Sequence, residues 1–168
     1  IGKAKNMPVY KLLATDNEPN PHVWTYASAG EVYKGSKWPE DLIKEAFRHR
    51  ENGFDAFKFR PWIEWEYSTP YFKKPMTLKE YIPILRKLRE AVVPDFYLIQ
   101  TDASSMRLTI EQYLEELCPV LEELNILFLQ QPMSNQGDDA VENYAKLNEA
   151  LPSVLIAGGE GISHRSGF

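Results

Sequence analysis

Apolar positions along this chain switch repeatedly between short continuous runs and helical spacing. The run Val23 to Ser28 is followed by Trp38, Leu42, Ile43, Ala46 and Phe47 at helical intervals, and Gly53 closes the pattern. This reads as a strand and then a helix. The same pair recurs as Asp55 to Pro61 followed by Leu78, Tyr81, Ile82, Leu85 and Leu88, with Thr77 and Glu80 at capping-box spacing. Phe96 to Ser104 supplies a third strand. Thr109 and Gln112 then open a helix that carries Ile110, Tyr113, Leu114, Leu117, Leu121 and Leu124 on one face. Ile126 to Met133 and Val154 to Gly159 give a fourth and a fifth strand, with a helix around Asn143 to Leu151 between them. Pro83 and Pro119 fall inside two of the helical patterns and are expected to kink them. The first segment, Ile1 to Leu13, ends in a polar, proline-containing stretch and reads as the tail of a preceding element.

Strands that alternate with helices call for a parallel sheet, because each crossover helix returns the chain to the same end. A doubly wound sheet would usually carry a glycine-rich phosphate loop after its first strand, and no GxGxxG is present. A barrel instead places its chemistry on the C-terminal ends of successive strands. The 168 residues fall short of the ~250 of a complete (β/α)₈ barrel. The expected fold is therefore α/β, a (β/α)₈ TIM-type barrel of which about the first five β/α units are present. Residues 1–21 are assigned to the tail of a preceding domain and its linker, and 22–168 to the incomplete barrel. Because the sequence starts at Ile1, the true N-terminus is expected upstream.

Composition narrows the partners. Lys and Arg number 19 against 24 Asp and Glu, a net charge of −5, and the cations are scattered rather than gathered in a stripe, which argues against nucleic acid. No apolar run approaches the ~20 residues of a bilayer span. Cys118 is the single cysteine and no secretory leader pattern is seen, so a cytoplasmic location is expected.

The strand ends carry the candidate chemistry. In Phe57-Lys58-Phe59-Arg60, the period of two sends both cations to one face and both phenylalanines to the other. The third strand ends Gln100-Thr101-Asp102, the fourth Gln130-Gln131-Pro132, and the fifth Gly158-Gly159-Glu160. Three adjacent strands thus offer oxygen-bearing side chains, the donor type that a hard divalent cation such as Mg²⁺ selects.

The ordered series MPVYKLL, YAS, FDAFKFR, LIQTDAS, LFLQQPM and IAGGEG resembles the enolase superfamily, in its mandelate racemase and muconate lactonizing enzyme-like, acid-sugar dehydratase branch. The resemblance runs from the end of the capping domain through the fifth barrel strand. It implies Mg²⁺ bound at Asp102, Gln130 and Glu160, and a base on the second strand at the Lys58 and Arg60 positions. It implies removal of a proton α to a carboxylate through an enediolate, with dehydration of an acid sugar as the expected outcome and racemisation or epimerisation as the alternative. A small carboxylate substrate and a homo-oligomeric full-length protein are the expected partners. Two departures bear on activity. The fourth-strand motif is Gln-Gln-Pro where the family has Glu-Glu-Pro, replacing an anionic ligand with a neutral amide. Arg60 stands where many members have the catalytic lysine, and a guanidinium stays protonated, so Lys58 is the better base; alternatively, Arg60 holds a substrate carboxylate and the base is a His on a later strand, as some acid-sugar dehydratases arrange it. A catalytically degenerate acid-sugar-binding member, or an inactive fragment, is the competing reading.

Each residue also has a plain structural reading. Lys58 and Arg60 could form an ordinary cation cluster, and Asp102 and Glu160 could be helix caps or surface acids. His22, His49 and His164 carry no motif. The connection from Pro61 to Met76 exceeds the usual ~2–6 residues of a strand-to-helix loop and carries five aromatics. Trp62 and Trp65 in it are expected either to wall the substrate site or to pack on the capping domain.

Overall fold

The computed structural model describes residues 1–14, 20, 22–30, 37–60, 77–92, 94–100, 106–134, 137, 139–160 and 162–164. Two short helices, α1 (Gly2–Lys5) and α2 (Val9–Leu13), precede five strands with helices between them. In chain order these are β1 (Ala27–Ser28), α3 (Glu40–Glu51), β2 (Ala56–Phe59), α4 (Leu78–Ala91), β3 (Tyr97–Gln100), α5 (Ile110–Gln112), α6 (Cys118–Glu123), β4 (Phe128–Gln130), α7 (Ala140–Ala150) and β5 (Leu155–Ala157). The five strands form one sheet in sequence order, every pair parallel. This is the α/β barrel arrangement that the alternating pattern predicts, over its first five units.

Local chemistry explains most boundaries. Thr77 caps α4 and Thr109 caps α5, each with a full capping box closed by Glu80 and Gln112 respectively. Acidic Glu40 and Asp41 open α3 and Arg48, His49 and Arg50 close it, which suits the helix dipole at both ends. The two internal prolines behave differently from one another. Pro83 leaves α4 continuous from Leu78 to Ala91. Before Pro119 the helix instead widens into a π turn over Tyr113–Leu117, with the Cys118 N–H donating to the Tyr113 carbonyl. The wider turn makes room for a ring that lacks an N–H and would otherwise press on the preceding turn.

Register fixes which side chains share a face. Ser28 pairs with Lys58, Lys58 with Ile99, and Ile99 with Phe128. These residues therefore lie on one side of the sheet. Phe57, Phe59, Leu98 and Leu129 take the other side and form the core with Leu42, Ala46, Tyr81, Leu85, Leu88, Tyr113 and Leu117 from the helical layer. Phe57 and Phe59 are fully buried and their rings stack 5.9 Å apart. Burial of each contributes on the order of 1.5–3 kcal/mol. Among the described residues, no helix is long and apolar enough to cross a membrane.

Candidate active site at the C-terminal strand ends

Lys58 stands near the end of β2 and is only 9% exposed. A buried ammonium needs partners, and two are at hand. Its Nζ donates to Gln130 Oε1 at 3.0 Å and lies 3.4 Å from the Tyr26 hydroxyl. The same Nζ sits 4.9 Å from the centroid of the Tyr26 ring, a cation–π contact. The far end of the Gln130 amide continues the chain of contacts, as Nε2 donates to Glu160 Oε2 at 3.3 Å. A cation, an amide and a carboxylate from β2, β4 and the turn after β5 are thus linked in series.

Each member is positioned by structure beneath it. Tyr26 precedes β1 by one residue and is braced by Trp24 and Phe128, with ring centroids 6.5 and 6.1 Å away. The exit of β4 is pinned three times. The buried Tyr113 hydroxyl donates to the Pro132 carbonyl, Tyr144 donates to the Met133 carbonyl at 3.0 Å, and the Gln131 N–H donates to the Ala157 carbonyl at 2.7 Å. Burial raises the pKa of both tyrosines, which keeps them as donors. Gln131 itself adopts φ 50°, and this left-handed residue ends the strand immediately after Gln130. Gly159, at φ 97°, turns the chain so that Glu160 comes back toward Gln130.

The exit of β1 is held as tightly. The Gly30 N–H donates to Glu45 Oε2 of α3 at 3.0 Å, and the Arg60 N–H reaches the Gly30 carbonyl at 3.4 Å. Gly30 has φ 69°, and a Cβ there would lie 2.3 Å from the Phe59 Cβ, so only glycine fits. Arg60 is half-buried and also engaged in further interactions.

Of the residues singled out in the sequence, the structure brings together Lys58, Gln130 and Glu160 and places Arg60 one residue beyond the end of β2. Asp102, Trp62 and Trp65 lie outside the described residues. Sequence reasoning passed over three residues. Tyr26 shares the parity of Ser28, which pairs with Lys58, and that parity was the available signal. Glu45 gave no local signal, because its role is a contact with a loop fifteen positions away. Gln100 is 0% exposed at the end of β3, and neither polar atom of its side chain has a hydrogen-bond partner among the described residues.

The metal expectation can be tested against the donors. Gln130 Oε1 faces an ammonium rather than open space, and Gln130 Nε2 holds the Glu160 carboxylate. Among the described residues, no group of three His, Cys, Asp or Glu side chains could hold a metal ion. Asp102, the remaining expected ligand, lies outside the described residues, so the described part of the expected set is Gln130 and Glu160.

Comparison with known proteins now places the chain. The enolase C-terminal domain-like family matches residues 41–168, and the chain belongs to that family. It is similar to the 3,6-anhydro-D-galactonate cycloisomerase from Zobellia galactanivorans at 23% identity, covering 95% of this chain and 37% of that one, with a TM-score of 0.69. It is also similar to a member of the enolase superfamily from Salmonella Typhimurium at 24% identity, covering 99% and 43%, with a TM-score of 0.69. A candidate mandelate racemase from Bordetella bronchiseptica RB50, complexed with 2-oxoglutarate/phosphate, matches at 23% identity over 99% and 38%, with a TM-score of 0.74. The chain spans about two-fifths of the length of these three structures. No curated protein matches it.

Proposed function

We propose that the protein carrying this chain transfers a proton at the carbon next to the carboxylate of an acid sugar, with Lys58 as the proton-transfer group. The observation that supports this reading is the position of Lys58: buried, near the C-terminal end of an inner strand, and aimed by Tyr26 and Gln130. General acid–base work needs a group held in that way within reach of substrate. Arg60 follows on the same face of β2 and, as a permanent cation, suits the substrate carboxylate rather than the proton. Loss of a β-hydroxyl after proton removal would make the reaction a dehydration, and return of the proton on the other face an epimerisation.

The named ligands and substrates of similar structures agree with a carboxylate site. One is complexed with 2-oxoglutarate/phosphate, and another is a cycloisomerase of a galactonate derivative. Enolase-superfamily members generally use Mg²⁺. Of the expected ligands Asp102, Gln130 and Glu160, the Gln130 amide oxygen accepts from Lys58 and its nitrogen donates to Glu160. Trp62 and Trp65 stay as the proposed wall on the sugar's carbon face, and residues 1–21 as the proposed tail of a capping domain.

A second reading, binding of the acid sugar without turnover, is favoured by one observation: Lys58 spends its ammonium on Gln130. The two readings separate in one experiment. A panel of aldonates and other hydroxy acids is incubated with the protein in D₂O, and the α-hydrogen is followed by proton NMR. Loss of the α-hydrogen signal for one member of the panel supports proton transfer. Saturable binding without any exchange supports the binding reading instead.

A further inference from the structure

We infer that Gln130 makes this site independent of a divalent cation, its amide bridging the Lys58 ammonium and the Glu160 carboxylate across the place where the resemblance puts a metal ligand. The inference goes beyond the proposed reaction and rests on the geometry of three side chains.

An amide can do what a carboxylate cannot. Gln carries an acceptor oxygen and a donor nitrogen, whereas Glu carries two acceptors. A glutamate at 130 would set one anion beside the Glu160 carboxylate, and a divalent cation would be the natural way to relieve their repulsion. Here the amide removes that repulsion by itself. Its oxygen turns to the cation at 3.0 Å and its nitrogen to the anion at 3.3 Å, the one orientation in which both ends are satisfied. Within these three side chains one ammonium faces one carboxylate, and Glu160 makes a further interaction besides.

A Mg²⁺ ion would have to disturb this arrangement. It takes oxygen donors at ~2.0–2.1 Å in near-octahedral geometry and gives up its water reluctantly. To use Gln130 Oε1 it would have to share a neutral oxygen with the Lys58 ammonium, placing two cations against one dipole. To use Glu160 it would bind an exposed carboxylate that already accepts from the Gln130 amide, and with Gln130 turned to Lys58 it would find a single anionic donor among these three side chains. Lys58 is buried and held by Tyr26 as well, so it cannot easily swing away.

The test is metal binding and stability measured without substrate, so its outcome is separate from the outcome of the exchange experiment. Wild-type protein is titrated with MgCl₂ and MnCl₂ by calorimetry and melted in EDTA and in millimolar Mg²⁺. The inference expects no saturable isotherm and the same Tm in both buffers. In Gln130→Glu, the melting temperature should fall in EDTA and recover when Mg²⁺ is added, and a saturable Mg²⁺ isotherm that wild type lacks should appear because a second anionic side chain is present. Should that variant fail to fold in either buffer, the wild-type titration and melts decide the matter on their own. Tight Mg²⁺ binding by the wild type that Asp102→Asn or Glu160→Gln abolishes would overturn it, as would a wild-type Tm that drops in EDTA.

Discussion

The two faces of the central sheet follow opposite rules. On the helix side, Phe57, Phe59, Leu98 and Leu129 meet Leu42, Tyr81, Leu85 and Leu117, and stability comes from apolar surface removed from water. On the other side, Tyr26, Lys58 and Gln130 find each other and reach on to Glu160, and what matters there is that each polar group has a partner of the right kind. Alternate residues of one four-residue strand serve both. Phe57 and Phe59 hold the strand in place, and Lys58 between them is what the strand presents. The difference teaches that the site's precision is inherited from the core, since Lys58 can be no better placed than the phenylalanines on either side of it.

The contrast can be broken most severely from the apolar side. Phe59→Ala should cost about 3–5 kcal/mol, the usual range for emptying a buried aromatic position, and chemical denaturation would measure it. Gly30→Ala comes next. The added Cβ would meet Phe59 at 2.3 Å in a backbone with φ 69°, so a loss of roughly 1–3 kcal/mol is expected, again by denaturation. Its neighbour Arg60 should shift as well, because the Arg60 N–H bonds the Gly30 carbonyl.

One residue sits on the wrong side of the division. Gln100 pairs in register with Phe59 and Leu129, so it belongs to the apolar face, yet it is a primary amide buried without partners among the described residues. Gln100→Leu, of similar size, should therefore raise stability by about 1–2 kcal/mol, since it removes unpaired polar atoms from the core. A loss of stability would show instead that the amide is satisfied in solution.

A smaller effect is expected from pH. Burial raises the Cys118 thiol from 9.0 to about 11, with Glu122 adding to the shift, and burial also raises the hydroxyls of Tyr81 and Tyr113 above their usual 10.0. All three stay protonated in the folded protein while their unfolded counterparts ionise. Stability should thus be fully present below pH 9 and decline as the pH climbs above it, which melting curves from pH 7 to 11 would follow.

Much of this was readable before any coordinates. The five strands and the helices between them follow from periodicity, and both capping boxes form where Thr77 and Thr109 precede Glu80 and Gln112 by three residues. The face of Lys58 follows from a period of two. What escaped the sequence is whatever depends on contacts between distant elements. Tyr26 became a site residue only when β1 was seen beside β2. Glu45 reaches Gly30 through tertiary packing, and the π turn before Pro119 is one of several ways a helix can absorb a proline. Gln130 was legible as a residue near the site but not in its orientation. Only the structure shows its oxygen turned toward Lys58 and its nitrogen toward Glu160.

On the proposed function, proton transfer on the inner face runs through Lys58. The most direct measurement is exchange of the substrate α-hydrogen with solvent deuterium in wild type and in Lys58→Met, which keeps the length of the side chain and removes its basic nitrogen. Exchange is expected to fall by about 10²–10⁴-fold in the variant while the melting temperature and carboxylate binding stay close to wild type. Exchange at the wild-type rate in well-folded Lys58→Met would contradict it.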